Sequence, residues 1–549
     1  MDNMFISALN PRKIMLTENG ATALSTTESA LVDQFGKSGN YRGRDVGDVF
    51  EAQAALWKEN KEAALRFPFY LRLVTRAVDF GNGKKCESVQ KGQGARDESI
   101  KRLLWIAKEN PESFYKNLWV LPFVGSWKDL WTLMYYDISL NINVIDKDVV
   151  YGIIAQGLLS DDFNDLVKKF MPRIVTKTKA KTERAVIMND LARGFAKFAK
   201  ISYKEYNVAK TSGKAHTFQK LISSKQFDKL NFNKIPGRAL NLLVKGNFLK
   251  KNGLVDAYRN WIMSKPVAKF TGYPFELVKE LTPQRGEVPF VLRNTINKQF
   301  DGLVEKALAD GNIKHNVMVA LDTSGSMRQP VSGLNGVTCH DVATSLAIFF
   351  ARLNNGAFKN VVMMFDNVSR THKLKGESLY DDLMTLPRVP RGGTNFQSVI
   401  DEIVKIRKNS PEIPLEDYPD VILAVSDMQF NPTSVFWDGL EWKKEVTNFE
   451  AAKEKLSEVF PEEFVDKMQF IWWDVASRRN TFEGDANTNG ITFFSGFDGS
   501  IISMLLGEEL EEKVVVDKKG NITVKKVPPT AEEMVEKALN QEVLSYIEV

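Results

Sequence analysis

Two cysteines in 549 residues are too few for a disulfide framework, and Cys86 and Cys339 read as reduced thiols of an intracellular protein. No run of 18 apolar residues occurs, so a membrane-spanning helix is not expected. The start Met1-Asp2-Asn3-Met4-Phe5-Ile6 has an acid where a signal peptide needs basic residues, so export is not expected either. The expectation is a cytoplasmic protein, in a host cytoplasm if the source is a virus, with no membrane partner. Histidine is also scarce. His216, His315, His340 and His372 are scattered without zinc-ligand spacing or a companion nucleophile motif, which argues against zinc binding and His-based catalysis. Gly36-Lys37-Ser38 has the tail of a P-loop, but Leu31 stands where its first glycine is required, and no buried strand precedes it. A non-enzymatic chain is expected.

What is present is a globular composition, 43% hydrophobic and 26% charged, in a chain too long for one core, so two or three domains are expected. The net charge of +5 conceals an asymmetry. Residues 1–314 hold 50 Lys+Arg against 33 Asp+Glu, whereas residues 315–549 hold 24 against 36. Residues 151–300 alone carry 28 Lys+Arg and 11 Asp+Glu, enough to account for the whole excess of the first part. A concentrated basic field is a footprint of polyanion binding, because neutralised phosphates release counterions. Lys168, Lys169, Arg173, Lys177, Lys179, Lys181 and Arg184 fall within 17 residues around Pro172, opposed by Glu183. They are the candidate RNA-phosphate contacts, with Phe170, Tyr203, Tyr206 and Phe218 as candidate stacking faces for unpaired bases. The competing reading is a solvated helix face with its aromatics in the core.

After an irregular start, Asp45 to Gly311 reads as consecutive helices divided by prolines. Ile100, Leu103, Leu104 and Ala107 fall at helical spacing in Arg96 to Glu109, as do Ile187, Leu191, Phe195 and Phe198 further on. No fixed-period repeat is visible, so a HEAT-like helical solenoid rests on helix density alone. From His315 the texture becomes alternating. Strands are predicted at Asn316 to Leu321, Asn360 to Phe365, Thr371 to Leu374, Asp420 to Ser426, Lys467 to Asp474 and Ile491 to Phe494. Helices are predicted at Cys339 to Leu353, Phe396 to Arg407, Phe449 to Val459 and near Ser500 to Glu509. That alternation predicts a doubly wound, mostly parallel α/β sheet. A hairpin of Lys513 to Val516 and Ile522 to Val527, turning at Lys519-Gly520-Asn521, and a helix after Pro528-Pro529 close the chain. The domains read as 1–314, 315–510 and 511–549.

The stretch Asp322-Thr323-Ser324-Gly325-Ser326 follows the apolar strand Val317 to Leu321, which puts Asp322, Ser324 and Ser326 at the strand's carboxyl end, where open α/β sheets bind ligands. One carboxylate and two hydroxyls suit Mg²⁺, a hard cation that keeps some water. Asp427 ends a second buried strand, and Thr394 follows the Gly392-Gly393 turn that opens a helix. Asp366 ends a third strand and reads as a cap rather than a ligand. The full set of Asp322, Ser324, Ser326, Thr394 and Asp427 resembles the metal-ion-dependent adhesion site of von Willebrand A domains. That resemblance implies Mg²⁺, or another divalent cation such as Mn²⁺, ligated directly by the hydroxyls, with one or both aspartates acting through water. It also implies an open coordination position for a partner's carboxylate or phosphate oxygen.

Further segments occur in one order: Glu18-Asn19-Gly20-Ala21, Gln93-Gly94-Ala95-Arg96-Asp97, Leu121-Pro122-Phe123-Val124-Gly125-Ser126-Trp127-Lys128-Asp129-Leu130, Ser426-Asp427-Met428-Gln429-Phe430 and Ser495-Gly496-Phe497. Together they resemble a largely uncharacterised family that joins a TROVE-like helical module to a von Willebrand A domain and is distantly similar to the Ro autoantigen and its bacterial relatives. The resemblance implies a non-enzymatic ribonucleoprotein component that holds structured or single-stranded RNA on basic helices and recruits a partner through its metal. The alternative is a protein-assembly scaffold whose metal site binds an acidic protein partner, without RNA.

Overall fold

A computed structural model describes residues 13–38, 41, 43–213, 217–282, 288–309, 314–387, 389–433, 446–476, 481–499, 510–516 and 522–549. The fold divides into two compact units. One comprises Met1–Tyr41 with Pro266–Glu536, and the other Arg42–Lys265 with Lys537–Val549. The change of texture near residue 315 therefore does not coincide with the boundary between units. The physical reason lies in helices Pro274–Leu281 and Phe290–Ala309, which bury Leu277, Leu281, Ile296 and Phe300 in the same unit as helix Cys339–Leu353. Arg352 ties the packing together, with its guanidinium 2.8 Å from Asp301 and 2.7 Å from Asp382.

The first unit is an α/β layer structure. Its six-stranded sheet is built from β5 (Val317–Asp322), β6 (Val361–Phe365), β7 (Ser369–Lys373), β8 (Val421–Ser426), β9 (Gln469–Asp474) and β10 (Ile491–Ser495). The spatial order is β10-β9-β8-β5-β6-β7, and every pairing is parallel except β6 with β7. Strands β5, β8 and β9 are buried along their whole length, as expected where helices cover both faces. A short hairpin of β1 (Ile14–Leu16) and β2 (Thr22–Leu24) belongs to the same unit, where Leu24 forms an isolated bridge with Phe482. The predicted helix near Ser500 to Glu509 and the turn at Lys519-Gly520-Asn521 lie outside the described residues. The hairpin that this turn was to join is present as β11 (Glu511–Val516) and β12 (Ile522–Val527).

The second unit is mainly helical, and helix Arg96–Glu109 has the predicted bounds, with Ile100, Leu103, Leu104 and Ala107 buried. One stretch departs from the helical expectation. Val74–Gly81 (β3) and Lys84–Gln93 (β4) form an antiparallel hairpin. The β-branched residues of β3 favour extended backbone, and Gly81, Asn82 and Gly83 take positive φ values of 83°, 53° and 76°, which only a tight turn requires. Among the described residues, no helix is long and apolar enough to cross a membrane.

Candidate functional site

The site grows from two neighbouring strand ends. β5 and β8 pair in parallel from Val317 with Val421 to Leu321 with Val425, so their carboxyl ends stop side by side. Asp322 is the last residue of β5, and Asp427 follows directly after Ser426, the last of β8. The chain after Asp322 folds back on itself. Ser324 donates its backbone N–H to Asp322 Oδ1 at 2.8 Å, and the hydroxyls of Ser324 and Ser326 stand 3.0 Å apart. Ser326 donates on to Asp427 Oδ1 at 3.2 Å, joining residues 101 positions apart. Met428 takes φ +58° and donates its N–H to Ser426 Oγ at 3.0 Å, a left-handed kink that turns the chain sharply after Asp427.

Thr394 reaches the same place from a third element. Its loop is pinned by Gly325 N–H to Gly392 O (3.0 Å), Arg391 N–H to Thr323 O (2.8 Å) and Asn431 N–H to Thr394 O (2.9 Å). The fourth contributor is the β1–β2 turn. Asn19 donates from Nδ2 to Thr394 Oγ1 at 3.3 Å and to Gln429 O at 2.5 Å, and Thr17 Oγ1 donates to Phe430 O at 2.6 Å. All five predicted side chains belong to this cluster of loops. Asp322, Ser324, Thr394 and Asp427 are at most 1% exposed, and Ser326 is half-buried.

The electrostatics are those of two carboxylates confined together. Burial, and then the charge of Asp427, push the Asp322 carboxyl up to about 7. What offsets this is hydrogen bonding from Ser324 and Ser426; no cationic side chain is among the causes. Among the described residues no three or more His, Cys, Asp or Glu are grouped so that they could hold a metal ion by themselves, here or elsewhere. The donor set is two carboxylates and three hydroxyls, all hard oxygen. That chemistry fits Mg²⁺ or Mn²⁺ retaining water, and it does not fit zinc.

Ser426, Asn19 and Gln429 are site residues that reading the sequence for ligands missed. The signal was there: they lie in the Ser-Asp-Met-Gln-Phe and Glu-Asn-Gly-Ala segments, but no spacing rule connects positions some 400 residues apart. Asp366 is a turn cap as expected, accepting from Asn367 and Val368 N–H while pairing with Arg370 at 3.0 Å. Lys37 of the P-loop-like tripeptide is buried at the end of helix Ala30–Lys37, 2.9 Å from Asp474 and above the Phe482 ring. Of the histidines, His315 meets Asp420 at 2.6 Å, His340 lies in the first turn of its helix 2.9 Å from Pro387 O, His372 contacts Thr385, and His216 is outside the described residues.

The basic residues run along one continuous segment of the helical unit. Lys168 and Lys169 lie in the last turn of helix Asn164–Phe170, and Arg184 lies in the first turn of helix Glu183–Phe198, with Arg173, Lys177, Lys179 and Lys181 on the connection. Arg173, Lys179 and Lys181 are exposed, without a side-chain partner among the described residues. Lys168 is engaged by Asn164 at 3.0 Å, Lys169 lies against the Phe170 ring, and Arg184 stacks on Tyr135 at 5.1 Å. The side chain of Lys177 is not described. Of the candidate stacking residues, Tyr203 is 47% exposed and Phe170 and Phe218 are half-buried, but Tyr206 is a core residue. Its ring is fully enclosed beside Phe195 and its hydroxyl donates to Pro172 O at 2.9 Å, so it offers no face to a base.

Two comparisons bear on this chain. The family model described as Domain of unknown function (DUF7788) matches residues 316–541, which hold the six-stranded sheet and Asp322, Ser324, Ser326, Thr394 and Asp427 but not the β1–β2 turn. An uncharacterized protein of Acanthamoeba polyphaga mimivirus is 24% identical over 535 residues, covering 90% of this chain and 85% of that protein.

Proposed function

We propose that the chain is a non-enzymatic, Ro-like RNA-binding protein, in which a basic helical module of HEAT-like character holds structured or single-stranded RNA and a von Willebrand A-type domain recruits a protein partner through a divalent cation. The observation that carries this reading is the convergence of Asp322, Ser324, Ser326, Thr394 and Asp427 from three separate segments onto neighbouring strand ends. Ser324, Ser326 and Thr394 would hold Mg²⁺ or Mn²⁺ through their hydroxyls, with Asp322 and Asp427 balancing its charge directly or through water. Such a cation supplies an open position for a carboxylate or phosphate oxygen of a partner. RNA phosphates would meet Arg173, Lys179 and Lys181, the exposed and unengaged members of the basic segment, and Tyr203 would offer a stacking face.

The test has two arms. Mn²⁺ titrated into the full chain and followed by electron paramagnetic resonance is expected to bind one tight site that Asp427→Ala removes. RNA retention on a filter is expected to fall steeply with salt, and to be absent if the helical module is a scaffold only. That second reading, protein assembly without RNA, is favoured by the enclosure of Tyr206 and by the engagement of Lys168, Lys169 and Arg184 within the fold.

A further inference from the structure

The β1–β2 turn contributes to the oxygen-lined cluster from the far end of the sequence, 375 positions before Thr394. Three hydrogen bonds fix it to the loop that follows Asp427: Thr17 Oγ1 to Phe430 O, Glu18 N–H to Gln429 Oε1, and Asn19 Nδ2 to Gln429 O. Gly20 closes the turn at φ +89°, a conformation that favours glycine. Because Gln429 O can only accept, the Asn19 carboxamide is held with its nitrogen inward. One amide proton is committed to Gln429 at 2.5 Å; the other makes only the long 3.3 Å contact with Thr394 Oγ1. Asn19 is itself exposed, whereas Thr394 is 1% exposed. The chain thus places a rigidly held, neutral N–H donor at the edge of the site, beside a hydroxyl proposed to hold a cation.

We propose that Asn19 is a specificity-determining residue of this site: it donates its second amide proton to the free oxygen of a carboxylate whose other oxygen coordinates the cation. This inference rests on the divalent-cation reading. A carboxylate has two oxygens to satisfy both partners at once, and a hydrogen bond to a charged acceptor is stronger than one to a neutral acceptor. A neutral amide or alcohol ligand would gain less from the same donor. The arrangement also explains why the turn is clamped so closely, since a donor that is already ordered costs little to use.

The test uses the full chain with Mn²⁺ alone and then with acetate as the carboxylate probe and acetamide as the neutral one, read by Mn²⁺ paramagnetic resonance and water-proton relaxation. Asn19→Ala is expected to leave Mn²⁺ affinity within about twofold and to weaken acetate binding about tenfold, with acetamide little changed. Asn19→Asp, which puts a negative charge at the edge, is expected to abolish acetate binding while tightening Mn²⁺. Unchanged or tighter acetate binding by Asn19→Ala overturns the proposal, and the tighter case makes the turn a lid. An equal loss of Mn²⁺ and acetate also overturns it, because Asn19 would then act on Thr394 and not on the ligand. If Mn²⁺ binding survives both Asp322→Ala and Asp427→Ala, or wild type binds none, the cation reading itself fails, and that outcome is distinct from all the others.

Discussion

Ser426 Oγ lies 2.5 Å from Asp322 Oδ2, so two residues 104 positions apart share a hydrogen bond across the adjacent ends of β8 and β5. The bond gives the buried carboxylate a side-chain donor from the neighbouring strand end. Ser426→Ala is expected to lower thermal stability of the metal-free protein by about 1–3 kcal/mol, as for any buried acceptor stripped of its partner. Calorimetry at neutral pH checks this, and a change below about 0.5 kcal/mol would mean the interaction is incidental.

Confinement of Asp322 beside Asp427 is unfavourable without a cation. Asp427→Asn is therefore expected to raise the melting temperature of the metal-free protein while removing any gain from added Mg²⁺. In wild type, Mg²⁺ at about a hundred times its dissociation constant should add roughly 2.7 kcal/mol by mass action. Thermal melts with and without EDTA compare the two proteins, and a Mg²⁺ gain retained by Asp427→Asn would contradict the assignment.

Glu483 provides a pH signature away from the proposed ligands. It is wholly buried, and that burial pushes its carboxyl up to about 8, against hydrogen bonds from the Asn448 and Phe449 N–H groups. A raised folded pKa means that the native state holds the proton more tightly than the unfolded chain does. Its stabilising contribution is complete below the ordinary carboxyl range and is lost as pH rises towards 8. Stability of wild type is expected to decline over that window, and Glu483→Gln, which cannot ionise, should flatten the decline. Denaturant melts at a series of pH values measure it.

For RNA, the combined change Arg173→Gln, Lys179→Gln and Lys181→Gln should weaken retention uniformly across sequences and reduce the salt slope by roughly 0.7 for each phosphate left without its cationic side chain. Far-ultraviolet circular dichroism should be unaltered, because these side chains have no partner within the described fold. An unchanged slope would favour the scaffold reading.

Tyr203 and Tyr206 separate packing from recognition. Tyr206→Ala empties a fully enclosed position and is expected to cost about 3–5 kcal/mol. Tyr203→Ala, at an exposed ring lying under Arg193, should cost far less stability and, if bases stack there, several-fold in RNA affinity. Melting and filter-binding measurements on both variants decide it.

Much of this architecture was legible because strong local patterns coincide with burial. The apolar runs of β5, β8 and β9 admit only a covered sheet, and the Cys339–Leu353 helix follows its apolar face. The hairpin Val74–Gln93 was not legible as such, since its half-exposed strands lack a continuous apolar run and lie between strong helices. Tyr206 looked available only because an aromatic in a basic segment reads alike whether it faces a base or a core.

The alternation of strands and helices after residue 315, the concentration of positive charge in residues 151–300, and five oxygen-bearing residues at predicted strand and loop ends can all be read from the order of amino acids. These are local properties, set by side-chain chemistry and by spacing within one element. Tertiary structure alone decided that residues before 42 and from 266 onward belong to the α/β unit, that Ser426 serves Asp322, and that Asn19 stands beside Thr394. Those relationships join segments that no periodicity links, and they exist because parallel strands bring distant carboxyl ends to one edge while the β1–β2 turn satisfies its hydrogen bonds on the loop that follows Asp427.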